Sequence, residues 1–186
     1  TVSKNVIIAT TNVSNKYSIP LGLIPSRRQI DYNEGYIGIT TPELSRMTNN
    51  KLILERDHGG PAQGSVTDNG IASLIEDSKY FDIIHLDPFK VTKDLDYAAE
   101  LTIMHLEYLN SLNNKLYFEI GTEEGIRKYS YKEFEYFLSK VCGGLRQQTF
   151  KQILYVVVQG GTLVKAGGNI GSSDSLSEYI NVCKSF

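Results

Sequence analysis

Five short stretches of this 186-residue chain carry side chains capable of acid–base or metal chemistry, and each stands where an apolar run turns polar. Arg27, Arg28 and Gln29 follow the run at 21–26, and Asp57 and His58 follow the run at 52–54. His85 and Asp87 close residues 81–88, Glu119, Glu123 and Glu124 fall in 116–125, and Gln159 leads into Gly160, Gly161 and Thr162. A carboxylate beside an imidazole can move a proton and also bind a cation. His58 and His85, with the carboxylates at the same strand ends, offer the mixed imidazole–carboxylate set that a divalent metal such as zinc accepts. Two histidines fall short of a three-histidine zinc site, so a carboxylate has to take part. Arg27 and Arg28 supply positive charge for a phosphate, and Gly160 and Gly161 can turn backbone N–H groups toward the same anion. Gln29, Asp87, Gln159 and Thr162 add hydrogen-bonding groups for a small polar substrate.

The elements that carry these residues read as alternating strands and helices. Residues 6–11 (Val-Ile-Ile-Ala-Thr-Thr) form a β-branched run, read as a strand or a buried extended lead-in, and 12–18 is polar and reads as a loop. Strands follow at 21–26, 51–55, 81–88, 116–125 and 153–159, with Pro25 ending the first of them. A threonine N-cap, Pro42 and Glu43 mark a helix start. Residues 68–79 form an amphipathic helix with Ile71, Leu74 and Ile75 inward. Residues 94–112 place Leu95, Ala98, Ala99, Thr102, Ile103, Leu106 and Leu109 on one stripe, which puts His105 in a structural position mid-helix. Helices at 131–145, with Phe134, Phe137 and Leu138 inward, and at 175–183 complete the chain. In strand 81–88, His85 and Asp87 share a face while Leu86 points away.

Near-continuous apolar strands alternating with helices imply an α/β fold with a covered parallel sheet. Functional side chains recurring at successive strand ends favour a (β/α)8 TIM-barrel type, incomplete at about six β/α units, as one domain over 1–186 that lacks the last units. All five stretches then converge on one mouth.

Composition narrows the function further. A formal net charge of -2 with scattered basic residues gives no footprint for nucleic acid. No apolar stretch nears the roughly 20 residues of a membrane span, and the first residues lack a signal-peptide pattern. Cys142 and Cys183 lie far apart in sequence and away from histidine, so a reducing cytoplasm is the expected location. No nucleophile elbow or P-loop is present, and nothing local marks Lys90 or Lys165 as a Schiff-base lysine.

A longer pattern emerges when the stretches are taken in order. Gln29-Ile30-Asp31, Gly35-Tyr36-Ile37-Gly38-Ile39-Thr40, Asp57-His58-Gly59-Gly60-Pro61, Ile84-His85-Leu86-Asp87, Ile120-Gly121-Thr122-Glu123 and Val157-Val158-Gln159 with Gly161 follow one another across residues 23–161. This series resembles the Z-type subunit of class II tagatose-bisphosphate aldolase, a relative of the class II fructose-bisphosphate aldolases. The resemblance implies a TIM barrel with a sugar-phosphate site at its mouth. It implies Asp57 as acid/base, His58 as a zinc ligand, Glu119 as a metal-binding glutamate, and a phosphate loop at Gly160-Gly161-Thr162. Glu123 is a further catalytic candidate. The chain departs from the catalytic aldolases at Gln159, where they carry a ligand histidine before the glycine pair. The Z-type subunit is itself regarded as a non-catalytic partner of the catalytic subunit. The expected function is therefore retro-aldol cleavage of a ketose (bis)phosphate. The alternative is a non-catalytic subunit or sugar-phosphate-binding protein. The expected partner is a second copy or an aldolase catalytic subunit.

Overall fold

A computed structural model describes residues 2–122, 129–158, 163–165, 168–170 and 176–186. Among them the chain runs α1 (Lys4–Tyr17), β1 (Gly22–Leu23), α2 (Thr41–Thr48), β2 (Ile53–Gly59), α3 (Ile71–Tyr80), β3 (Ile83–Leu86) and α4 (Leu95–Leu112). It continues through β4 (Tyr117–Gly121), α5 (Tyr131–Gly144), α6 (Gln147–Phe150), β5 (Ile153–Val157), β6 (Leu163–Lys165), β7 (Gly168–Ile170) and α7 (Leu176–Cys183). Strands β1 to β5 form one sheet in the order β1-β2-β3-β4-β5, and every pair is parallel. Each strand pairs with its neighbour in sequence. A doubly wound sheet instead reverses its strand order partway, so the sequential order is that of a (β/α) barrel. The fold is α/β of the barrel type, incomplete at five parallel strands among the described residues, where about six β/α units are expected from sequence. A short antiparallel pair, β6 with β7, follows the fifth strand.

The longer helices form where their caps and stripes predict, with one exception, and the short α6 has no counterpart among the elements read from the sequence. Thr40 caps α2 in a reciprocal box with Glu43, and Ser130 does the same for α5 with Glu133. Asp94 caps α4, and Ala98, Ala99, Thr102, Leu106 and Leu109 are buried along it. The exception is the β-branched run at 6–11. It is not a strand but the body of α1, which also absorbs the expected loop at 12–17. Ser3 accepts the Val6 N–H as N-cap, and the Thr11 hydroxyl donates to the Ile7 carbonyl one turn back. Ile7, Thr11 and Ser14 are buried at helical spacing while Val6 and Ile8 face solvent. Capping and a buried stripe thus outweigh an intrinsic preference of a few tenths of a kcal/mol per residue.

Helix α3 buries Leu74 as expected, but Ile71 and Ile75 are only half-buried and its inner face is mostly polar: Ser73, Asp77 and Ser78. The cause lies on β2. Arg56 is fully buried and grips Asp77 with Nε and Nη2, both at 2.8 Å, while Nη1 donates to the carbonyls of Pro25 and Ile30. The Phe81 ring stacks 4.6 Å from its guanidinium carbon. One side chain ties β2 to α3 and to the turn after β1. Among the described residues no helix is long and apolar enough to cross a membrane.

Candidate functional site

Parallel strands place their carboxyl ends on one rim, and β2 delivers Asp57 and His58 there. Regular alternation would send neighbouring residues to opposite faces. The register between β2 and β3 breaks between Arg56 and Gly59, and His58 adopts φ +50°, a left-handed conformation a non-glycine residue rarely takes. The bulge brings both side chains to the same rim as His85 of β3. The His58 and His85 rings stand 5.0 Å apart, and one donor atom each from Asp57, His58 and His85 lie within 4.8 Å of one another.

Carboxylates surround the imidazoles. His58 Nδ1 lies 3.1 Å from Asp87 Oδ2, and Nε2 lies 3.3 Å from Asp57 Oδ1. Burial works to raise the Asp87 pKa, but the His58 hydrogen bond, the Phe89 N–H and the two imidazoles hold it below the usual carboxylate value. Asp87 is therefore an acceptor near neutral pH, and it faces His58 Nδ1. Burial, with His58 alongside, pushes the His85 pKa down to about 4 against the pull of Asp87. At pH 7 His85 is neutral, and its buried Nε2 has no hydrogen-bond partner among the described residues. A neutral imidazole with an unmatched nitrogen is the state in which histidine binds a metal.

Glu119 of β4 is not one of that group of three. Its Oε2 stands 3.8 Å from His85 Nδ1. Arg27 is 4 % exposed and already engaged: Nε donates to Asp31 at 2.9 Å, Nη1 donates to the Gly60 carbonyl at 3.1 Å, and Asp68 pairs with it. Burial opposes its charge, yet Asp31 and Asp68 outweigh burial and raise its pKa. Arg28 is exposed, and Gln29 Oε1 accepts from the Ser26 N–H. A polar cleft of about 370 Å³ lined by Arg27, Arg28, Tyr32, Ser65 and Asp68 borders the loop after β2. Glu123, Gln159, Gly160, Gly161 and Thr162 lie outside the described residues.

Three further residues of the site have only weak signals in the sequence. Gln63 sits in the loop after β2, buried, with its Nε2 donating to Asp87. Nothing marks it among the glycines and hydroxyls around it. Glu55 precedes Asp57 by two residues, so alternation alone puts them on one face. Tyr155 of β5 donates its hydroxyl to Glu55 and also reaches Glu119, and burial together with those two carboxylates raises its pKa. A larger, apolar cleft of about 560 Å³ lies against β5 and is lined by Leu154, Val156, Phe150, Phe186 and both cysteines. Both cysteines are free, and burial raises both thiols, which keeps them protonated.

No protein-family model matches this chain, and no curated protein matches it. Among solved structures the chain is similar to a probable tagatose 6-phosphate kinase from Sinorhizobium meliloti 1021, at TM-score 0.78 and 16% identity. The match covers 100% of this chain and 54% of that one, so the chain spans about half the length of the matched structure. A fold match at that identity defines the α/β barrel class. The YdjI aldolase from Escherichia coli K12 aligns at TM-score 0.49 and 8% identity over 81% of this chain and 70% of that one.

Proposed function

We propose that the chain is an aldolase-type lyase that cleaves a carbon–carbon bond of a ketose phosphate at the rim of its strands. The observation that carries this reading is the group formed by Asp57, His58 and His85, whose donor atoms lie within 4.8 Å with one buried imidazole nitrogen unmatched among the described residues. Two imidazoles beside a carboxylate suit a divalent ion of the zinc type, which His58 and His85 would hold while Asp57 is kept for proton transfer. Bound there, such an ion supplies Lewis-acid stabilisation of negative charge on a ketose oxygen. The matched fold belongs to a protein described by a sugar phosphate, the ligand class proposed here.

The residues divide the work as follows. Asp57 takes the proton from the substrate hydroxyl whose carbon becomes the aldehyde. The bond from that carbon to the carbon beside the carbonyl breaks, and its electron pair remains on the latter as an enediolate. The carboxyl then returns the proton to that carbon, so the ketose phosphate yields an aldehyde and a smaller ketone. Asp87 orients His58, and Glu119 stands behind His85. Arg28, being exposed, meets the phosphate together with Gly160, Gly161 and Thr162, while Arg27 shapes the cleft through Asp31 and Asp68. Glu123 is the second proton carrier, and Gln29 and Gln159 meet substrate hydroxyls. A single domain over 1–186, a cytoplasmic setting, kinship with the Z-type subunit, and pairing with a second copy or a catalytic aldolase subunit belong to the same proposal.

One observation favours a second reading, sugar-phosphate binding without turnover. Asp57 is 3.3 Å from His58 Nε2 and belongs to the donor group, and a carboxylate committed to an ion is lost as a base. A retro-aldol assay on a panel of ketose phosphates, with zinc present and chelated, separates the two. Metal-dependent cleavage that falls by about 100-fold or more in Asp57→Ala is the expected result. Tight binding of the same sugars with no cleavage, indifferent to chelator, would establish the second reading instead.

A further inference from the structure

Among the described residues two carboxylates face the ring nitrogens of His58. Asp87 waits 3.1 Å from Nδ1 and Asp57 waits 3.3 Å from Nε2, so distance hardly chooses between them. What differs is how the two carboxylates are held. The Asp57 side chain is 34% exposed, whereas that of Asp87 is 1% exposed and fixed from several sides. The Phe89 N–H donates to Asp87 Oδ1 at 2.9 Å. Gln63 Nε2 reaches both the Asp87 carbonyl, at 3.1 Å, and Oδ2, at 3.2 Å. Oδ2 is the same oxygen that faces His58.

The orientation of the Gln63 amide follows from its neighbours. Both Asp87 atoms can only accept, so the NH₂ end must face them and the carbonyl end must face away. Oε1 is then buried with no partner among the described residues, and Gln63 as a whole is 3% exposed. Buried amide oxygens are nearly always matched, so an unmatched one asks for a reason. A glutamine present for packing alone would be replaced at no loss by an apolar side chain of the same length. Here the amide forgoes a partner for its oxygen while committing its nitrogen to Asp87.

We propose that Gln63 is a positioning residue: clamped on Asp87, it keeps that carboxylate against His58 Nδ1 and so leaves Nε2 as the nitrogen that serves the site. The inference rests on the reading of the rim as a ligand-holding site. It places Gln63 in the outer layer that orients a ligating histidine, where substitution typically weakens metal binding by roughly 10- to 100-fold.

Nitrogen-15 spectra of the metal-free protein at about pH 9, where an ordinary imidazole is neutral, report which ring nitrogen of His58 carries the proton. The expected result is Nδ1–H in the wild type and a shift of population to Nε2–H in Gln63→Leu. Zinc titrated into the same two samples should bind the variant roughly 10- to 100-fold more weakly. Should Gln63→Leu not fold, Gln63→Met carries the same expectation with a longer side chain. Nδ1–H unchanged in a folded variant, even one of lowered melting temperature, assigns Gln63 a purely structural role and overturns the proposal. Nε2–H already in the wild type overturns it as well. A wild-type protein that takes up no zinc sinks the metal reading alone, because the spectra are recorded without metal.

Discussion

His58 is the residue through which the rest of the site is arranged: carboxylates face both of its ring nitrogens, and a second imidazole lies 5.0 Å away. Its positive φ is a local cost that an active site can sustain when neighbours over-determine the conformation, and here Asp87, Gln63 and the β2 bulge do so. The third histidine shows the contrast. His105 is buried on α4, with Nδ1–H donating to the Leu101 carbonyl at 2.7 Å. Burial lowers its pKa below the usual histidine value, although the backbone hydrogen bond pulls the other way. As pH falls through about 6.5 the unfolded chain takes the proton first. The stability that His105 supplies is therefore complete above about pH 6.5 and is lost as pH drops from there toward its folded pKa. Urea unfolding of wild type and His105→Gln between about pH 7 and pH 5 should show a flatter pH dependence in the variant. Identical slopes would remove His105 from the acid limb.

At the scale of elements, the joint between β2 and α3 is where polar chemistry does the work usually left to apolar packing. Arg56 and Asp77 are both fully buried, and each would be an uncompensated charge without the other. Arg56→Ala should cost about 3–5 kcal/mol of stability, whereas Arg56→Met with Asp77→Leu should cost far less or nothing. Denaturant midpoints of the single and double variants test this, and additive losses would contradict it. The same joint explains what was legible in the sequence. Helices α4 and α5 were readable because a cap and an apolar stripe agree, as at Asp94 with Ala98, Leu106 and Leu109. The inner face of α3 was not, because Ser73 and Asp77 look solvent-facing until Arg56 is placed against them. Helix α1 was misread because Val6, Ile7 and Ile8 favour a strand locally, while burial of Ile7, Thr11 and Ser14 is decided by packing. Asp57, His58, His85 and Asp87 stood out as charged ends of apolar runs. Gln63 and the bulge at His58 did not, since each depends on contacts made across the loop after β2.

For the whole molecule, the curl of the sheet is visible in one contact. Strands β2 and β5 are separated by β3 and β4, so on a flat sheet they would run about 14 Å apart. The Tyr155 hydroxyl of β5 nonetheless bonds Glu55 of β2, and it also reaches Glu119 of β4. Side chains standing upright on a flat sheet could not meet over that span, so the strands curve around a shared interior. Glu55 and Glu119 are both more than nine-tenths buried, and the phenol proton goes to Glu55. Tyr155→Phe should lower stability by about 1–3 kcal/mol, the cost of leaving a buried acceptor unmatched. Unchanged urea unfolding would show that this contact does not hold the curl. The curvature also gathers the ends of β2, β3 and β4, so that a site forms at a rim made of five parallel strands.

Equilibrium binding of zinc to the metal-free wild type and to His85→Ala, followed by calorimetry at about pH 7, tests the central claim most directly. The account predicts one zinc per chain in the wild type and an affinity lowered by about 100-fold or more in His85→Ala, since a lost ligand should cost at least as much as a lost outer contact. No uptake by the wild type, or equal affinity in both proteins, would contradict it.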